Sequence, residues 1–210
     1  MPTLREALAH GGAVCLDAAS ARIQVGRLNA DGTGTWCVSE EEAGIGVFDC
    51  LRRLEISPRE VSTWIYCDGP GSVLGIRTVA AALRSWRVLG NPSVFSYCSL
   101  ALVAHTLPDQ GEIGVIADAR RDSWHHYQVG QGLRRVVGSG LSGRLVMPEG
   151  FRSWSNHPLP FDRVPYDLAL LMPRALDAPL LRGSDEPDAF LHEEPSYVTW
   201  TPQIHRGPVK

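Results

Sequence analysis

The apolar positions of the first forty residues recur at strand spacing. Ala13-Val14-Cys15-Leu16 is an unbroken apolar run, Ile23 to Leu28 alternates apolar with polar, and Thr35-Trp36-Cys37-Val38 is a third short run. Turn formers separate them, at Asp17-Ala18-Ala19-Ser20 and from Asn29 to Gly34. Short strands joined by such turns predict a three-stranded meander. Residues 1–12, ending at Gly11-Gly12, read as a tail or a short lead-in helix. The period then becomes helical. Val47, Leu51 and Leu54 form one stripe, widened by Ile45 and Phe48. Ser39 and Glu42 stand at the S-x-x-E spacing of a capping box, which predicts a helix starting at Ser39. Gly44 and Gly46 each weaken that helix by about 1 kcal/mol, so either something packs closely there or its first turn is loose. Ser57-Pro58-Arg59-Glu60 repeats the capping spacing, with proline at the first helical position.

The stretch from Trp64 to Trp86 organises the rest. Trp64-Ile65-Tyr66 predicts a strand, and Asp68-Gly69-Pro70-Gly71 breaks it. A helix follows, with Val73, Ile76, Ala80 and Leu83 on one face and Val79 and Trp86 on a neighbouring one. Ser72 is placed to cap it. A helix start behind a glycine turn presents free N–H groups to an anion; the plainer reading is a turn tightened for packing. This helix is apolar on more than one side, so one side covers a sheet and the remainder needs a partner. Small residues at Ala80 to Ala82 suit close helix approach.

Ser93 to Tyr97 reads as a strand, and Leu100 to Leu107 as a short helix stopped at Pro108. A break is expected near Pro108-Asp109-Gln110-Gly111, dividing the chain into units 1–108 and 109–210. The second unit restarts like the first. Ile113 to Ala117 is apolar, Asp118-Ala119-Arg120-Arg121-Asp122 is a polar turn, and Trp124 to Val129 alternates, followed by Leu133 to Val137. Leu16-Asp17-Ala18 is thus echoed by Ala117-Asp118-Ala119. Residues 138–165 lack a period, Asp167 to Leu176 reads as a helix, and Ser196 to Trp200 as a last strand. Strands alternating with helices, with a meander opening each half, predict an α/β protein of two lobes.

Composition narrows the chemistry. The apolar fraction of 44% and charged fraction of 20% suit a chain with a buried core. A net charge of -3 without a basic stripe argues against strong nucleic-acid binding by this chain alone. No apolar run approaches the ~20 residues that span a bilayer. Cys15, Cys37, Cys50, Cys67 and Cys98 are odd in number and form no C-x-x-C pair, and no signal-like segment opens the chain, so buried thiols in a cytoplasmic protein are expected.

Cys67 stands beside a helix start, which lowers a thiol pKa, but burial at a strand end raises it, and burial is the expected outcome. No two of His10, His105, His125, His126, His157, His192 and His205 are four apart, so no helix offers a histidine pair to a metal. His125 and His126 point to opposite faces of one strand and read as surface or packing residues. No G-x-S-x-G elbow and no G-x-x-x-x-G-K-[ST] loop is present. Asp17 and Asp118 end apolar strands before turns. Turn capping by each is the favoured reading.

Asp68-Gly69-Pro70-Gly71-Ser72-Val73-Leu74-Gly75-Ile76-Arg77 resembles the GPGSFTGLR signature of the TsaB proteins, older name YeaZ, a glycoprotease-like family. Cys15 to Ser20 is similar to the family's opening strand ending in D-T-S, and Ser99 to Ala104 to its S-S-L-E-A-L-A. Asp118-Ala119-Arg120 is similar to its D-A-R, and Pro195-Ser196-Tyr197-Val198 to its P-x-Y-L. The likeness covers roughly residues 13 to 130 and the end. Val73 and Leu74 replace the family's Phe and Thr, its early helix histidine is absent, and residues 138–190 match none of its motifs. The resemblance implies an actin, Hsp70 and sugar-kinase type fold of two lobes, each of ribonuclease-H-like topology with a mixed sheet. In place of turn capping alone, it would imply that Asp17 and Asp118, with Gly69, Gly71 and Ser72, belong to a vestigial nucleotide or anion site. It implies a non-catalytic scaffold that activates a TsaD-type enzyme in threonylcarbamoyladenosine synthesis at tRNA position 37, with a TsaE-type ATPase joining. It also implies a homodimer when the chain is alone, no metal, and no cofactor except ATP and magnesium at the partner interface. The interface would use the first lobe's helices, at Ile45, Phe48, Leu51, Ile76, Val79, Ala80 and Leu83. The competing reading is a small ATP-binding kinase-like or glycoprotease-like enzyme of the same superfold.

Overall fold

The computed structural model describes residues 1–9, 11–154 and 160–190. A short helix α1 (Leu4–Leu8) leads into β1 (Ala13–Asp17), β2 (Ile23–Leu28) and β3 (Gly34–Ser39), which pair antiparallel in turn. Helix α2 (Ala43–Arg53) returns the chain to β4 (Thr63–Gly69), parallel to β1; helix α3 (Val73–Arg87) returns it to β5 (Ser93–Cys98), parallel to β4. Helix α4 (Ser99–Ala104) crosses to the second sheet. There β6 (Ile113–Asp118), β7 (Ser123–Gln128) and β8 (Gly132–Val137) form another antiparallel meander. Strand β9 (Arg144–Pro148) lies parallel to β6, and β10 (Asp162–Val164) parallel to β9. After α5 (Leu168–Arg174), β11 (Arg182–Gly183) pairs antiparallel with β5.

The two sheets run β11-β5-β4-β1-β2-β3 and β10-β9-β6-β7-β8. Without β11, the first order is repeated by the second, strand for strand. This is the two-lobed α/β architecture with two mixed sheets. The 108/109 position falls in the turn between α4 and β6, yet β11 lies beyond it and closes the edge of the first sheet.

Period-two alternation sets the layers. In β1 and β4, Val14, Leu16, Trp64 and Tyr66 face α2 and α3, where they meet Val47, Leu51, Val79 and Leu83. Cys15, Ile65 and Cys67 face the other way, toward α4 and the second sheet. All six residues of α4 are buried, and it packs on β4 and β5 as well as on β6, β7 and β8. One apolar core therefore runs through both lobes. Trp64 stacks on Trp86 at 4.9 Å, and Phe48 meets the same ring edge-on at 6.0 Å.

Several boundaries differ from the sequence expectation. Helix α2 starts at Ala43, because Ser39 remains in β3, where it pairs with Ile23. No side chain caps α2; the Ser39 hydroxyl accepts from the Glu41 N–H instead, at 3.2 Å. The close packing expected at its glycines occurs at Gly46, where a Cβ would sit 3.0 Å from Ser39 Oγ and 3.1 Å from Ile23 Cγ1; at Gly44 the space is open. Pro58–Glu60 is a single 3-10 turn. The stretch without a period holds β9 and β10. Asp167 caps α5 through Ala169 N–H at 3.0 Å. The strand expected at Ser196 to Trp200 lies outside the described residues. No helix among the described residues is long and apolar enough to cross a membrane.

Candidate functional site

The two meanders open with equivalent turns. Asp17 Oδ1 accepts the Ala19 N–H at 2.9 Å, and Asp118 Oδ1 accepts the Arg120 N–H at 2.6 Å. Each carboxylate thus caps its own turn, as short polar side chains do. Their second oxygens differ. Asp17 Oδ2 accepts from Tyr97 Oη at 2.5 Å and Tyr166 Oη at 2.7 Å, and the residue has no exposed surface. Asp118 Oδ2 accepts the Trp154 N–H at 2.6 Å beside open space. Burial pushes the Asp17 carboxyl above its usual range, and the hydrogen bonds from Tyr97 and Tyr166 only partly offset this. The strand-end aspartates are therefore unequal: one is sealed in the core and the other borders a cleft.

That cleft, of about 640 Å³, lies between the two turns. Ala19, Ser20 and Ala21 come from the first lobe, with Gly71 to Leu74 and Arg77 at the start of α3. Asp118, Arg120 and His125 come from the second, with Gly150 to Arg152 and Trp154. The Ala21 N–H donates to Gly150 O at 2.9 Å and ties the rims together. Arg120, Arg121 and Asp122 all hold positive φ, at 64°, 52° and 56°. For residues with side chains this costs on the order of 1 kcal/mol or more each. The turn so formed sets the Arg120 guanidinium 4.6 Å from the Trp154 ring centre.

The glycine turn before α3 serves packing first. A Cβ on Gly71 would run into Ala19 O, and one on Gly75 into Ala18 O. Both glycines let the Asp17 turn dock on the helix start. The Ser72 N–H donates to Ala19 O at 2.7 Å, and Ser72 Oγ caps α3 through the Gly75 N–H at 3.3 Å. Gly71, Gly75 and Ser72 therefore join the Asp17 turn to the start of α3, while Gly69, at φ 124°, ends β4 just before them. Of the five residues expected at an anion site, Gly71, Ser72 and Asp118 line the cleft. Arg77, Arg120, His125, Arg152 and Trp154 line it too, without having been anticipated. Only the Asp118-Ala119-Arg120 motif hinted at Arg120, while Arg152 and Trp154 follow β9 in a stretch without a period.

The expected interface residues also divide. Leu51, Ile76, Val79, Ala80 and Leu83 are core residues, each with at most 4% of its surface exposed. They belong to the faces of α2 and α3 that cover the sheet, so the chain itself consumes them. Ile45 and Phe48 are exposed by 58% and 47%, and Leu74 on α3 by 79%.

The five cysteines are free and buried. Burial raises the Cys67 thiol well above its ordinary pKa, with the Asp17 and Asp68 charges adding to the shift. His126 is buried and its pKa falls for that reason. His125, expected to be a bystander, faces the cleft. Among the described residues no group of three or more His, Cys, Asp or Glu is arranged to hold a metal ion.

No family model and no curated protein sequence matches the chain. Among solved structures it is similar to YeaZ from Pseudomonas aeruginosa, at 18% identity and a TM-score of 0.51, over 66% of this chain and 76% of that one. It is also similar to an uncharacterized protein with similarity to peptidase YEAZ from the same organism, at 17% identity and a TM-score of 0.49, over 65% and 74% of the two chains. The strand order repeated in both sheets and the first of these likenesses lead to one conclusion: the chain has the two-lobed α/β fold of YeaZ.

Proposed function

We propose that the chain is a divergent TsaB-type protein, a non-catalytic cytoplasmic scaffold that binds and activates a TsaD-type threonylcarbamoyl transferase acting on tRNA position 37. The observation that carries this reading is the exposed apolar surface of α2, Ile45 and Phe48, next to the half-buried Trp86 of α3. The inner faces of both helices already cover the sheet, so the exposed parts of Ile45 and Phe48 are available to a partner helix pair, with Phe48 held edge-on by Trp86. The GPGSVLGIR stretch places α3 against the first lobe, which supports the same use of that helix. A kinase-like use of magnesium and ATP gains little support, because Asp17 is hydrogen-bonded to two tyrosines inside the core.

Co-expression with the TsaD-type protein of the same organism is expected to yield a heterodimer. Phe48→Asp and Ile45→Asp, both on exposed sites, should abolish it while leaving thermal stability intact. The isolated chain should transfer no threonylcarbamoyl group. Robust transfer by the isolated chain, or a heterodimer unaffected by both substitutions, overturns the reading. An orphaned α2 surface with no TsaD-type partner would then point to a homodimer, read directly by light scattering.

A further inference from the structure

We propose that Cys37 and Cys50 form an oxidisable dithiol that closes into a disulfide and staples α2 to β3. The sequence shows five scattered cysteines and no C-x-x-C pair. The fold sorts them. Cys15, Cys67 and Cys98 lie in the core shared with the second sheet, whereas Cys37 and Cys50 lie in the core beneath α2 and α3. Cys37 comes from β3 and Cys50 from the buried face of α2, and these two elements pack directly on each other.

Small residues bring the pair together. Helix α2 runs back along β3, and Gly46 sits over Ser39, where a Cβ on the glycine would be 3.2 Å from the Ser39 Cβ. One helical turn further along α2 is Cys50, and two residues back along β3, on the same face, is Cys37. A helical turn advances about 5.4 Å and two strand residues about 6.6 Å, so the second pair inherits the close approach of the first. The two thiols are accordingly in hydrogen-bonding contact. A disulfide asks for Cβ atoms about 3.5–4.5 Å apart, a separation that so close a backbone approach allows.

The chemistry is thiol–disulfide exchange with a small oxidised disulfide of the glutathione class. Cys37, 5% exposed where Cys50 is sealed, meets the reagent first. Its thiolate attacks one sulfur of the reagent, whose S–S bond breaks and releases one thiol. The Cys50 sulfur then gives up its proton and displaces the second thiol, forming the bond to Cys37. The two cysteines together lose two protons and two electrons, and the reagent takes them up as two thiols. Burial, then the hydrogen bond with Cys37, pushes the Cys50 thiol up to about 12, so the pair rests reduced and closes when α2 opens locally. The start of α2 opens most readily, because it has no side-chain cap and Gly44 faces open space. Once formed, the link ends that movement in the helix that carries Ile45 and Phe48.

The test equilibrates the full chain, folded and in denaturing urea, in mixtures of reduced and oxidised glutathione. Free thiols are then alkylated, and the chain is cleaved at Glu40 to Glu42, which separates the two cysteines for mapping by mass spectrometry. The folded chain is expected to lose the mass of two hydrogens and to join the Cys37 peptide to the Cys50 peptide. Half-conversion should need an oxidised share about tenfold or more below that needed in urea, because a link that stabilises the fold is favoured by the fold. Oxidation should also raise the melting temperature by several degrees. Cys50→Ser should form no internal link, and Cys67→Ser should link as the parent does. Absence of a link, a link between other cysteines, a midpoint no lower than in urea, or a link that survives Cys50→Ser overturns the proposal. All are read on the isolated chain, so none bears on partner capture through α2.

Discussion

The two lobes share a strand order and differ in what covers it. In the first, the crossovers from β3 to β4 and from β4 to β5 are helices of 11 and 15 residues. In the second, the equivalent crossover from β8 to β9 holds only a 3-10 turn, Gly138–Gly140, and the described part of that from β9 to β10 holds no helix. Parallel strands are usually covered by such helices. The second sheet instead takes its cover from α4, the helix that leaves the first lobe, and α5 packs on α4 in turn. One lobe thus keeps an outer helical layer with apolar residues to spare. The other has a minimal sheet that leans on its neighbour. A repeated topology can persist while the layer that makes it self-sufficient is lost, provided a neighbour shares its core.

If that dependence is real, damage to α4 must be felt in both lobes. Leu100→Ala, at a fully buried site, should cost about 3 kcal/mol. Trp64 in the first sheet and Trp124 in the second offer separate fluorescence probes when the other five of the six tryptophans are replaced by Phe. Urea unfolding followed by each should stay coincident in the variant, and separate midpoints would show that the lobes stand alone. The next effect concerns β11, which the first lobe borrows from the far end of the chain. Arg182 pairs with Asp68 at 2.7 Å, and the Asp68 side chain is 9% exposed. Burial raises the Asp68 pKa while Arg182 opposes the rise. Removing the cation strands a buried carboxylate, a loss of several kcal/mol in full burial. With Arg182 itself over a third exposed, Arg182→Gln should cost about 2 kcal/mol by urea midpoint.

A smaller effect, and one that varies with pH, separates the two strand-end aspartates. The folded-state pKa of Asp17 is raised, chiefly by burial. Its contribution to stability is therefore full below the unfolded value of about 3.9 and is lost as pH rises through the folded value. Asp17→Asn should flatten this part of the stability-versus-pH curve in urea melts, and an unchanged slope would show that Asp17 does not titrate differently on folding. The least effect is expected at Arg5 and Asp177, which pair at 2.6 Å with both side chains more than half exposed. Asp177→Asn should leave the melting temperature unchanged within error.

The first lobe was legible in the sequence because its signals are local. Alternation in Ile23–Leu28, the turn at Asp68–Gly71 and the Ser72 cap all act over a few residues. The echo of Leu16-Asp17-Ala18 in Ala117-Asp118-Ala119 disclosed the second meander for the same reason. Strands β9 and β10 were missed. Five and three residues long, they pair parallel within a sheet and carry no alternation to detect. The capping box at Ser39 misled because extending β3 by one residue to pair with Ile23 outweighed a side-chain cap. The inequality of the two aspartates was invisible. It depends on Tyr97 and Tyr166, which stand 80 and 149 residues from Asp17. The apolar residues of α3 were expected to exceed one sheet contact, but Ile76, Val79, Ala80 and Leu83 are all buried, and the exposed large apolar side chains are Val73 and Leu74 on α3 and Ile45 and Phe48 on α2.

Tyr97 belongs to β5 of the first lobe and Tyr166 to the segment just before α5, and both grip the same oxygen of Asp17. Gln24 adds a second clasp close by, donating to Tyr166 O and accepting from Leu168 N–H, both at 3.0 Å. Any motion that parts the first lobe from the segment before α5 must break this buried knot without water to replace the lost partners. Strands β1, β2 and β5 of the first lobe are thus pinned to the segment that leads into α5, far along the chain, by polar groups that have no solvent to turn to.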